Sequence, residues 1–141
     1  MSERMQIGEV AERTGLSLRT IRYYEEVGLV VPSARSQGGF RLYTQADVDR
    51  LTLTRSMKPL GLHLEQMREL LAILDPTPDS PAVADPDARL TEFAELAERR
   101  CEEMRTQLHR VEEFTTMLRV RLRAARREEP ENAPARSAAR R

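Results

Sequence analysis

The sequence predicts a mainly α-helical protein: a small N-terminal helix-turn-helix unit with a short β-hairpin, then one long C-terminal helix. Three observations carry this. A third of the 141 residues (33%) are charged, only 4% are aromatic and none is Trp, a balance that suits solvated helices better than a sheet-rich core. Between Leu90 and Ala125, apolar side chains recur at alternating intervals of four and three, the spacing of an apolar stripe on a helix. Between Ile7 and Leu29, two short helical patterns flank Gly15, as in a helix-turn-helix.

Charge and cysteine content narrow the function. Lys+Arg and Asp+Glu both number 23, which excludes a polycationic coat or a strongly acidic mimic but leaves room for a local basic face. A single cysteine, Cys101, allows no intrachain disulfide and no multi-cysteine zinc site. The N-terminus opens without an apolar leader segment, and no apolar run is long enough to span a bilayer, so a cytoplasmic chain with no membrane contact is expected. No paired carboxylates, nucleophile–base pair or Gly-rich phosphate loop stands out, so neither an enzyme nor a cofactor site is expected. His63 and His109 are isolated, and no metal ligand set is expected.

Ile7, Val10 and Ala11 fit one face of a first helix. Gly15 permits the turn, and Ser17 is the N-cap of a second helix. In that second helix Leu18, Ile21, Tyr24 and Gly28 are expected to face inward, with Ile21 filling the helix crossing. Arg19, Arg22, Tyr23 and Glu26 fall at i, i+3, i+4 and i+7, a single outward stripe, with Thr20 beside it. A guanidinium can fork onto a phosphate or a guanine edge, and a tyrosine hydroxyl can bond a phosphate. A solvated polar face is the alternative for this helix alone.

The next segment tilts the balance toward nucleic acid. Val30-Val31-Pro32 leads through Ser33 to a Gly38-Gly39 turn and then Phe40-Arg41-Leu42-Tyr43, which reads as two short strands. Alternation places Phe40 and Leu42 on one face and Arg41 and Tyr43 on the other. A hairpin carrying Arg35, Gly39, Arg41 and Tyr43 directly after such a helix is a wing able to reach backbone phosphates. Tyr43 can equally pack on the helix that follows. Thr44 to Asp47 forms a capping box for a third helix carrying Val48 and Leu51, ended near Met57 or Lys58 by Pro59 and Gly61. A fourth helix starts near His63-Leu64 with Leu64, Met67, Leu71 and Leu74 as its stripe. Arg55 and Lys58, at the joint, are candidates for a second backbone contact or for simple solvation.

Residues 1–75 form the predicted DNA-binding domain, 76–87 a Pro-rich linker, 88–127 the long helix and 128–141 a disordered tail. The long helix carries the candidate dimerisation residues Leu90, Ala94, Ala97, Cys101, Met104, Leu108, Val111, Leu118 and Leu122, with Ala125 at its end and only Thr115 breaking the series. No second helix of similar length exists in the chain, so its partner is another copy or another protein. Acids gather at its start (Glu92, Glu95, Glu98, Glu102, Glu103), whereas Leu118 to Arg127 holds five arginines and no acid. An antiparallel coiled coil sets those ends against each other, a modest electrostatic preference. Cys101 fits a coil core as a small hydrophobe; it lies several turns from the helix midpoint near Leu108, which argues against a symmetric disulfide.

Ile7-Gly8-Glu9-Val10-Ala11, Thr20-Ile21-Arg22-Tyr23-Tyr24-Glu25, Gly28-Leu29, Gly39-Phe40-Arg41-Leu42-Tyr43 and Leu60-Gly61 together resemble the MerR family of bacterial transcription regulators. The resemblance covers residues 5–75 in register, and the long helix sits where that family has its dimerisation helix. It implies a winged helix-turn-helix homodimer, joined by an antiparallel coiled coil, on a pseudo-palindromic operator in double-stranded promoter DNA. Such a dimer would act on RNA polymerase by distorting the duplex. On this resemblance Ser17, Arg19, Thr20, Arg22 and Tyr23 would contact DNA from the second helix, and Arg35, Gly39, Arg41 and Tyr43 from the wing. Tyr24 and Glu25 would hold the fold. The cysteines of the family's metal- and redox-sensing members are missing: Ser56 stands where some thiol-responsive relatives carry one, and no large ligand domain follows the coil. The small-molecule effector is therefore unknown. An architectural, excisionase-like DNA-binding protein without promoter control is the alternative reading.

Overall fold

A computed structural model describes residues 3–128; Met1, Ser2 and residues 129–141, nearly all of the predicted tail, lie outside the described residues. Helix α1 spans Ile7–Thr14 and stops at Gly15, whose φ of 74° lets its N–H return to the Ala11 carbonyl at 2.9 Å. Helix α2 spans Leu18–Glu26. Its N-cap is Ser17, whose hydroxyl accepts the Thr20 N–H at 3.1 Å. Because α2 ends at Glu26, Gly28 is not on its inward face. It lies in the turn beyond, at φ 71°.

Strand β1 (Ala34–Arg35) pairs antiparallel with β2 (Arg41–Leu42), Ala34 opposite Leu42 and Arg35 opposite Arg41. A bridge between Met5 and Tyr43 ties the N-terminal segment to the base of this hairpin through two backbone hydrogen bonds, 2.8 and 2.7 Å. Helix α3 (Gln45–Met57) opens with the expected Thr44/Asp47 capping box and passes into a 3₁₀ turn at Lys58–Leu60. Helix α4 spans Leu64–Leu74. It buries Met67, Leu70, Leu71 and Ala72, while Leu74, expected on its core stripe, is exposed. Helix α5 spans Pro86–Glu128.

The chain separates into two compact units, with the boundary between Ala97 and Glu98. In the first unit, Val10, Ile21, Tyr24, Tyr43, Leu51 and Leu71 are buried in one cluster that joins α1 to α4. Each such side chain contributes about 1.5–3 kcal/mol on burial. This unit does not end at residue 75. The start of α5 belongs to it, because Phe93 is buried in the same cluster and Arg89 stacks over the Phe93 ring at 4.7 Å. The Arg89 guanidinium also pairs with Glu69 of α4 and with Glu92, and the two carboxylates raise its pKa. The second unit holds the rest of α5. Among its described residues Met104, Leu108, Val111, Phe114, Leu118 and Leu122 are all exposed. Phe114, absent from the predicted series, supplies an apolar side chain next to Thr115, whose hydroxyl turns back onto the Val111 carbonyl at 2.8 Å.

Candidate nucleic-acid interface

The face of α2 opposite Ile21 and Tyr24 carries the site. Helical periodicity that buries those two side chains turns Arg19, Arg22 and Tyr23 outward, and all three are exposed. Neither Arg19 nor Arg22 has an ion pair or hydrogen bond among the described residues, so both guanidiniums keep their donors for an incoming anion. Tyr23 leans on Tyr24, ring centroids 6.0 Å apart, and is 48% exposed. Ser17 and Thr20 sit at the N-terminal end of the same helix, their hydroxyls 2.9 Å apart. That end carries the positive pole of the helix dipole, favourable to a phosphate.

The wing follows. Its tip is a three-residue loop closed by Ser36 N–H to the Phe40 carbonyl (2.8 Å) and Gly39 N–H to the Ser36 carbonyl (2.9 Å). Gly39 sits at φ 81°, the left-handed position such a loop needs. Phe40, at the tip, is 64% exposed. At the wing root, the buried Asp47 carboxylate accepts the Ser33 N–H (3.1 Å), the Ser33 hydroxyl (2.7 Å) and the Thr44 N–H (2.9 Å). The sequence showed Asp47 as a helix cap but not as the anchor of a residue fourteen positions earlier.

The wing arginines are placed differently from the outward pair on α2. Arg35 and Arg41 both pair with Glu25 of α2, Arg35 through Nη2 and Arg41 through Nε, one to each carboxylate oxygen. Arg35 also donates through Nη1 to the Gly39 carbonyl at 3.1 Å. The hydrogen bond to Glu25 holds the Arg41 guanidinium more firmly protonated than usual. Among the described residues neither terminal nitrogen of Arg41 has a hydrogen-bond partner.

Tyr43, expected on the wing as a DNA contact, is instead a core residue. Its side chain is fully buried, and among the described residues its hydroxyl has no hydrogen-bond partner. Burial first, and the nearby Glu25 charge second, push its pKa up. The bridge to Met5 and the packing behind the wing hold the ring in the core, away from any phosphate, although alternation puts it on the Arg41 face. Arg55 is exposed, and its Nη1 donates to the Thr14 carbonyl at 3.2 Å at the C-terminal end of α1. Lys58 is exposed at the start of the 3₁₀ turn. Of the candidate dimer residues, Leu90, Ala94, Cys101, Met104, Leu108, Val111, Leu118 and Leu122 are exposed and Ala97 is half-buried. Among the described residues, no three metal-ligating side chains converge, and no helix is long and apolar enough to cross a membrane.

A helix-turn-helix with a short wing and an unpaired arginine stripe defines a DNA-binding transcription regulator. Residues 5–73 match the model described as MerR HTH family regulatory protein. The chain is 42% identical over 103 residues to the HTH-type transcriptional regulator CueR of Escherichia coli O157:H7, covering 72% of this chain and 74% of that one. The chain belongs to the MerR family. A putative MerR-family transcriptional regulator from Listeria monocytogenes shares the fold with a TM-score of 0.52 at 26% identity, over 96% of this chain and 94% of that one. So does HiNmlR, a MerR-family regulator lacking the sensor domain and solved bound to promoter DNA, with a TM-score of 0.58 at 24% identity over 85% and 84%.

Proposed function

We propose that the chain binds a pseudo-palindromic operator in double-stranded promoter DNA as a homodimer and controls transcription by distorting the duplex between two promoter elements. The observation that carries the reading is the exposed, unpaired Arg19–Arg22–Tyr23 stripe on α2, directly beside the wing. In a major groove, Arg19 and Arg22 serve phosphates or guanine edges, Tyr23 a phosphate, and Ser17 and Thr20 the backbone at the helix N-terminus. The wing adds Arg35, Arg41 and the Gly39 backbone, and Lys58 adds a further cation. Arg55, exposed and held at the end of α1, is a candidate for a second backbone contact.

Residues 1–75 read DNA on this account, and α5 supplies dimerisation. The exposed apolar series from Met104 to Leu122 is what a second copy would cover. The acidic start and arginine-rich end of α5 favour an antiparallel pair. HiNmlR, of the same fold, was solved on promoter DNA, which supports promoter DNA as the ligand class. RNA polymerase is the partner in this reading, the chain is cytoplasmic, and it is not an enzyme. Deforming a site of 20–30 base pairs costs on the order of 1–6 kcal/mol, offset by phosphate contacts on both half-sites.

The test is selection of genomic DNA fragments on the purified full chain, with the enriched fragments sequenced and mapped. The expected result is a pseudo-palindrome lodged between promoter elements. Scattered or directly repeated sites away from promoters would overturn the reading in favour of an architectural DNA binder.

A further inference from the structure

The Glu25 carboxylate is 15% exposed and, among the described residues, is the one acid that grips the wing from α2, taking Arg35 with one oxygen and Arg41 with the other. The hairpin it grips is short. Two residues per strand pair, and a two-stranded ribbon of that length has little stability of its own. Its root is fixed by Asp47 through Ser33 and by the Met5–Tyr43 bridge, but among the described residues no other hydrogen bond or ion pair joins its outer half to α2. The distal wing therefore takes its direction from one side chain.

We propose that Glu25 is a positioning residue for DNA recognition: it aims the wing relative to α2 and reduces the charge that the wing offers to the phosphate backbone. This inference rests on the DNA-binding reading above. Two arginines and one carboxylate leave the wing one net positive charge instead of two. Glu25 takes Arg41 through Nε, which fixes the base of the guanidinium and leaves its terminal nitrogens as the donors for a phosphate. Held this way, the wing adds less sequence-independent attraction and more geometric selection, because a phosphate must come to the guanidinium. With the carboxylate gone, two mobile arginines would reach any duplex and release more counterions from it.

Glu25→Gln keeps the shape of the side chain and removes the charge. Wild type and variant are compared by fluorescence anisotropy on a selected operator and on a random-sequence duplex, across a salt series. For the variant, random-duplex affinity should rise several-fold at low salt. Its salt dependence should steepen by about one unit of log K per log salt, and its preference for the operator should fall. In an Arg35→Gln, Arg41→Gln background the same substitution should change neither slope nor preference, because Glu25 acts through those arginines. Circular dichroism checks the helices in each case. A folded Glu25→Gln chain with unchanged slope and preference would overturn the proposal, as would an unchanged effect in the doubly substituted background. If Glu25→Gln does not fold, Glu25→Asp decides. It keeps the charge but loses one methylene of reach, so preference should fall while random-duplex affinity changes less than twofold; an unaltered preference would overturn the proposal. Failure of the wild-type chain to favour any operator would instead remove the DNA-binding reading itself.

Discussion

Removing the Asp47 carboxylate should loosen the wing and destabilise the whole first unit. Asp47 is 7% exposed, and its Oδ2 accepts three hydrogen bonds, from the Ser33 N–H, the Ser33 hydroxyl and the Thr44 N–H. A hydrogen bond to a charged group contributes about 1.5–3 kcal/mol net, and a buried donor left unpaired costs about 1–3 kcal/mol. Three such bonds set the upper limit for Asp47→Ala. Water lowers it, because Asp47 also lines an open cleft of about 550 Å³ between the wing root, α3 and α4 and a water can serve the orphaned donors there. The expected loss is then ~2–3 kcal/mol, or a melting temperature lowered by ~10–20 °C for a unit of this size. The assay is thermal unfolding by circular dichroism at pH 7, with chain concentration held fixed because dimerisation shifts the midpoint. Asp47→Asn, which retains a neutral acceptor, should fall between the alanine variant and wild type. An alanine variant melting within about 3 °C of wild type would refute the reasoning, since it would mean that Ser33 and Thr44 do not depend on this carboxylate.

Phe93→Ala should cost about 3–5 kcal/mol by emptying a buried aromatic site, seen as a lower urea midpoint and earlier proteolysis in the segment 76–87; an unaffected midpoint would detach the start of α5 from the first unit. Tyr43→Phe should leave DNA affinity within twofold of wild type and raise the melting temperature, because it removes a buried hydroxyl with no partner among the described residues; a large affinity loss would restore Tyr43 as a DNA contact. The same substitution should reduce alkaline sensitivity. The folded pKa of Tyr43 is raised above that of the unfolded chain, so its contribution to stability is intact below the unfolded value of about 10 and declines as pH rises above it. Arg22→Ala should weaken binding and flatten the salt dependence by about one unit of log K per log salt; an unchanged slope would take Arg22 off the phosphate backbone.

The parts of this protein that sequence makes legible are those set by neighbours in the chain. Ser17 and Thr44/Asp47 cap helices within three residues of themselves, and Gly15 ends α1 by adopting a left-handed φ at the expected place. The outward placement of Arg19, Arg22 and Tyr23 follows from the burial of Ile21 and Tyr24 on the same helix. What the sequence hides depends on contacts distant along the chain. Glu25 meets arginines ten and sixteen residues later, Arg55 reaches back to Thr14, and Asp47 reaches back to Ser33. Tyr43 misleads because strand alternation assigns a face without saying which neighbours cover it. Phe93 lies beside the four-three series that runs through Leu90, Ala94 and Ala97, so a heptad reading passes it over, although it is the α5 side chain buried in the first unit. The extent of that unit is hidden for the same reason: four prolines between residues 76 and 86 look like a clean break, but the helix they introduce docks back onto α4 through Arg89 and Glu69.

The central claim is that this chain reads DNA sequence, not merely DNA charge. The most direct measurement is a competition at physiological salt between the genome-selected operator and a random duplex of equal length for the wild-type chain. A preference of at least about a thousandfold, lost in the Arg19→Ala, Arg22→Ala double variant, is what a sequence-specific regulator gives. Equal affinity for the two duplexes, or a preference that survives removal of both arginines, would contradict the account.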